Sequence, residues 1–97
     1  MTLNEFLALT QIDLRNVERG TVTIELFDGS HFGNSIYEKS IDFLTGNLGL
    51  ESPGISLAEL ITVDNNYGSR QVTNNLISVS QQERKLDLTF RITTKID

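Results

Sequence analysis

His31 is the only histidine in the chain, and cysteine is absent. Those two facts dispose of most site chemistry. A Ser-His-Asp triad would have to be built around His31, with a serine and a carboxylate brought against its ring. His31 instead follows the tight-turn pair Asp28-Gly29, at a position suited to a surface or packing role. One histidine and no thiolate cannot furnish a typical zinc site, and a disulfide framework is excluded outright. Asp64, Asn66 and Gly68 suggest part of a calcium loop, a pattern that wants oxygen ligands at its first, third and fifth positions, Gly at the sixth and Glu at the twelfth. Counted from Asp64, the fifth position is Gly68 and the twelfth is Asn75, so the segment reads as an Asx-type turn. The carboxylates of Asp13, Glu25, Asp28 and Asp42 would serve acid–base work only if burial or a close like charge raised one of them. Their spacing demands neither, and a solvated face accounts for them. The loop from Gly49 to Gly54 lacks the Gly-Lys-Ser/Thr of a phosphate loop. The expectation is a protein without catalytic residues, metal or cofactor, and with no small-molecule substrate.

Aromatic side chains are the remaining candidates, because Tyr and Phe are enriched in the cores of interfaces. Tyr37, Tyr67, Phe27 and Phe32 are the relevant ones. Phe27 ends an alternating stretch and points away from its apolar face, so it either closes the core beside the turn or meets a partner.

The elements that would position these residues follow from periodicity. Residues 2–9 read as a short helix, with Thr2 and Glu5 at capping-box spacing and Leu3, Phe6 and Leu7 on one face. Gln11 to Val17 alternates loosely as a strand, and Glu18-Arg19-Gly20 looks like a turn. Thr21 to Phe27 is a clear strand, with Val22, Ile24 and Leu26 facing one way. Asp28-Gly29 signals a hairpin, with a short return strand over Ser30 to Phe32. Ser35 to Asn47 reads as the main helix. Ser35 and Glu38 make a second capping box, and Ile36, Tyr37, Ile41, Phe43, Leu44 and Leu48 give a wide apolar stripe. Ser56 and Glu59 make a third box opening a single helical turn, and Ile61 to Val63 extends into a strand. Leu76 to Ser80 is a strand, followed by a turn over Gln81 to Arg84. From Lys85 the alternation is unbroken, with Leu86, Leu88, Phe90, Ile92, Thr94 and Ile96 on one face. The sum is a single α+β domain over residues 1–97. It holds a small antiparallel sheet of four to five strands, one main helix and a short N-terminal helix.

The formal net charge is −5 and the charged fraction 22%. Binding to nucleic acid draws on phosphate neutralisation, and the arginines are scattered among acids, so nucleic acid is not an expected partner. No apolar run approaches the roughly 20 residues of a membrane span. The N-terminus lacks the basic-then-apolar order of a signal peptide.

The stretch Asn75-Leu-Ile-Ser-Val-Ser-Gln-Gln-Glu-Arg-Lys-Leu-Asp-Leu-Thr-Phe-Arg-Ile-Thr-Thr resembles the closing hairpin of the small baseplate-wedge proteins of phage tails and related contractile injection systems. In that family a helix precedes a strand, a short polar turn and a long final strand with a Thr-rich end. The family is named after a lysozyme-like member, but no glutamate–aspartate site with that role can be placed on this chain. The resemblance implies a structural virion subunit of the tail or baseplate, found in the virion or the host cytoplasm, whose partners are other protein subunits in a homo- or hetero-oligomer. The alternative is a small acidic binding or inhibitory protein of phage type, either a nucleic-acid mimic or an antagonist of a host factor. A mimic needs carboxylates in rows, whereas the wet face of the last strand mixes Asp87, Arg91 and Lys95. The same strand outruns its partner at Leu76 to Ser80. Either residues 11–17 or 61–63 of the same chain cover this edge, or Thr93, Thr94, Lys95 and Ile96 present unpaired backbone to a partner, guarded only by Lys95.

Overall fold

A computed structural model describes residues 1–29, 34–49 and 54–95. Two of the three capping boxes open helices. In α1 (Leu3–Leu9) the Thr2 hydroxyl accepts the Glu5 N–H at 3.2 Å, and the Glu5 carboxylate accepts the Thr2 N–H at 2.9 Å. The next two free amides, of Leu3 and Asn4, donate to the carbonyls of Arg70 and Gly68. The whole first turn is thus satisfied and tied to the segment just before Gln71. Ser56 and Glu59 make the same box at α2 (Leu57–Leu60).

The third box does not open a helix. Ser35–Leu44 is a strand, β3, and only Thr45–Asn47 beyond it turns helically, as a 3-10 turn. Tyr37, Lys39, Ile41 and Phe43 stand opposite Leu26, Ile24, Val22 and Gly20 of β2 (Arg19–Asp28). Ile36 and Leu44, which complete the apparent helical stripe, have the opposite parity. The turn expected at Glu18 to Gly20 is also displaced, since Arg19 and Gly20 already belong to β2. Gly20 is required there: a Cβ would sit 1.8 Å from the Leu86 carbonyl oxygen and 2.8 Å from the Phe43 ring. The return strand expected over Ser30 to Phe32 lies outside the described residues, as does His31.

Among the described residues the strands form two sheets rather than one. The larger has the order β3-β2-β6-β5, where β5 is Gln71–Gln82 and β6 is Lys85–Lys95. β2–β3 and β5–β6 are antiparallel hairpins. β2 and β6 run parallel, pairing Val22 with Leu88, Ile24 with Phe90 and Leu26 with Ile92. The sheet is therefore mixed, not antiparallel throughout. The smaller sheet pairs β1 (Gln11–Asp13) with β4 (Gly54–Ser56), leaving Leu14 and Val17 buried beyond β1, not in it. Ile61 to Val63 is not a strand.

Helices α1 and α2 and the small sheet form a second layer over one face of the large sheet. Leu3, Phe6, Leu7, Ile12, Ile55 and Leu57 meet Val22, Ile24, Leu26, Phe43, Leu88, Phe90 and Ile92 in one cluster. The Phe6 and Phe90 rings meet edge to face, with centroids 6.3 Å apart. The opposite face is wet and carries mixed pairs: Thr21 Oγ1 donates to Asp87 at 2.8 Å, and Arg91 lies 3.6 Å from Glu25. No helix among the described residues is long and apolar enough to cross a membrane.

Candidate interaction surface

The carboxylates singled out as chemistry-bearing are dispersed. Asp13 is clamped by Arg15, whose guanidinium donates to it at 2.7–3.2 Å, with a further bond from the Arg15 amide. These bonds hold Asp13 below the usual carboxylate range and raise Arg15. Asp28 takes the guanidinium of the buried Arg70, which also donates to Thr94 Oγ1 at 2.7 Å. Asp64 accepts the Asn66 amide at 3.0 Å, the Asx turn expected from its spacing. Among the described residues no three His, Asp or Glu side chains gather as metal ligands would. A depression of about 600 Å³ at one end of the large sheet is bounded by Arg19, Thr21, Asp42, Phe43 and Lys85.

Of the aromatic candidates, Tyr37, Tyr67 and Phe27 have internal duties, and Phe32 lies outside the described residues. Tyr37 and Tyr67 pack ring on ring at 4.9 Å, and their hydroxyls bond the Asp64 amide and the Ile36 carbonyl. Together they pin the 64–68 turn onto β3. Phe27 is buried, in register with Thr93 of β6.

The end of β6 is likewise enclosed. Thr93 and Thr94 are fully buried, and their strand is paired on both sides, with β2 and with β5. The premise that this end lacks a partner is overturned, because β5 runs to Gln71 rather than starting at Leu76. Lys95 is exposed and pairs with Gln71; Ile96 lies outside the described residues.

The open edge belongs instead to β5, which sequence reasoning shortened to five residues. It is the outermost strand, 12 residues long, and contains no charged side chain and no proline. Its first residues are covered: Val72 donates to the Met1 carbonyl at 2.9 Å, and Thr2 bridges Gln71. A bulge follows at residues 72–74, and from Asn74 to Gln82 β5 has strand pairing only to β6. Over this stretch Leu76, Ile77 and Val79 are 52%, 45% and 63% exposed. Ile77 and Val79 stand on the core face, opposite Phe90 and Leu88, which are buried. Their side chains therefore extend the core beyond the last covered strand. They line an open groove of about 320 Å³ whose far wall is Thr10 to Asp13. The other sheet edge, β3, is different in kind, for it carries Glu38, Lys39 and Asp42. Soluble chains guard edges with charge, proline or bulges, and beyond its single bulge β5 has none of these. The signal was present in the uncharged run from Gln71 to Gln82, but it reads as an edge only when β6 is known to lie inside the sheet. Comparison with protein-family models, curated proteins and solved structures returns no match to this chain, so the surface is read from its own chemistry.

Proposed function

We propose that this protein is a non-enzymatic subunit of a larger protein assembly, of the phage tail or baseplate kind, and that it works by strand addition at β5. The observation that carries this reading is the unguarded edge from Asn74 to Gln82, with Ile77 and Val79 projecting from the core face into an open groove. An added strand would satisfy the outward N–H and C=O groups of β5 and remove both apolar side chains from water. The mixed charges of the wet face, where Glu25 meets Arg91 and Lys85 lies 3.9 Å from Asp87, speak against the acidic mimic. Val79→Lys tests the reading, because a charge on the open edge should block pairing while solvent receives the ammonium. Native mass spectrometry of the chain expressed with its natural gene neighbours should show a stoichiometric assembly that Val79→Lys abolishes. An assembly that survives the substitution, or a lone monomer in every setting, contradicts the proposal.

A further inference from the structure

We infer that the strand added to β5 is the β5 of a second copy of this chain, antiparallel about a twofold axis at Ser78. The inference rests on the reading of β5 as the assembling edge and names its occupant. The open stretch has two natural limits. Met1 and Thr2 cover the edge as far as Val72, and the bulge ends at Asn74; at the other end the hairpin turns after Gln82. Ser78 is the midpoint between Asn74 and Gln82. An antiparallel twofold pairing keeps both cores on one side of the joined sheet only if opposed residues share a face. Centred on Ser78, it lays the open stretch of one copy along the whole open stretch of the other.

The chemistry across that register is self-complementary. Ile77 opposes Val79 of the second copy, and Val79 opposes its Ile77, so four side chains close the two grooves into one apolar seam. Asn75 opposes Gln81 and Asn74 opposes Gln82, amide against amide, a pairing whose side chains both donate and accept. A shift of the centre to Ile77 would oppose Val79 to Asn75, and a shift to Val79 would oppose Ile77 to Gln81. Charge agrees. A chain of net charge −5 repels its copy in general, yet β5 brings no charge to the seam. The product is one continuous sheet of two four-stranded halves.

The natural absence of cysteine supplies the test. In Ser78→Cys the two thiols face each other across the axis, with Cα atoms about 4.5–5.5 Å apart, within disulfide reach. In Leu76→Cys or Ser80→Cys the like positions are displaced by about 13 Å along the strand, beyond reach. Mild oxidation should cross-link Ser78→Cys nearly completely and neither of the others alone, while an equimolar mixture of Leu76→Cys and Ser80→Cys should cross-link. Light scattering of the wild-type chain should give twice 10.9 kDa, and Val79→Lys, folded by circular dichroism, a single 10.9 kDa. A dimer in which Leu76→Cys cross-links as readily as Ser78→Cys overturns the register. A wild-type monomer at all accessible concentrations overturns the second copy as occupant. In that last case an assembly with other chains that Val79→Lys still abolishes would leave the strand-addition reading standing.

Discussion

Replacing Phe90 with alanine should remove the largest side chain in the centre of the core. Phe90 is 1% exposed and sits on β6, between β2 and β5. Its ring faces Phe6 of α1 edge on, with an interplanar angle of 80°. It therefore joins the large sheet to the helical layer. Truncating a buried phenylalanine costs about 3–5 kcal/mol, from lost transfer energy and the cavity left behind. Domains of this size hold roughly 5–15 kcal/mol in all. At about 4–8 °C per kcal/mol, the melting temperature should drop by roughly 12–40 °C. Urea titration followed by circular dichroism would give the free-energy change, and a double-mutant cycle with Phe6→Ala should show coupling of about 0.5–1.5 kcal/mol for the ring pair. A melting temperature within a few degrees of wild type would refute the assignment of Phe90 to the joint between the layers.

Gly20→Ala should also destabilise, because its Cβ would strike the Leu86 backbone and the Phe43 ring. Overpacking of this kind costs about 1–3 kcal/mol, read as a lower urea midpoint; an unchanged midpoint would mean that β2 and β6 do not approach so closely there. Acid should weaken the fold in part through Glu5 and Asp13. The Thr2 amide bonds Glu5 and the Arg15 guanidinium bonds Asp13, and both carboxyls are held below their ordinary values of 4.5 and 3.8. Their contributions are thus present above those values and lost as pH falls through the depressed ones. The variant Glu5→Gln/Asp13→Asn should flatten the acid limb of melting temperature against pH slightly below pH about 4, while an unaltered limb would assign the acid sensitivity to other groups.

What the sequence discloses and what it hides divide along physical lines. Local devices are legible: the capping boxes at Thr2 and Ser56, the Asx turn at Asp64, and the alternation from Leu86 to Ile92 all report interactions between near neighbours. β3 deceives because Lys39 interrupts the apolar parity of Tyr37, Ile41 and Phe43. Lys39 lies half-buried with its ammonium reaching the Thr62 carbonyl, so a charged residue occupies a core-facing position. With Ile36 and Leu44 added, the same residues imitate a helical stripe. The parallel pairing of β2 with β6 joins segments far apart in the chain, and no turn residue encodes it. The interaction surface was legible only in part. An uncharged β5 is visible in the sequence, but the strand's ends are held by β6 and by Met1, not by any pattern of its own. The end of β6 reads as the open edge in the sequence because the alternating pattern of its partner strand starts only at Leu76, whereas the strand begins at Gln71.

Amide hydrogen exchange over β5, compared between the assembled and the dissociated protein, tests the central claim most directly. On assembly, alternate amides from Asn74 to Gln82 should gain protection of at least tenfold, because their N–H groups acquire carbonyl partners and every 1.4 kcal/mol gained is a factor of about ten. The amides of β2 and β6, already paired on both sides, should change far less. Protection that appears along β3 or the helical layer, with residues 74–82 unchanged, would contradict the account.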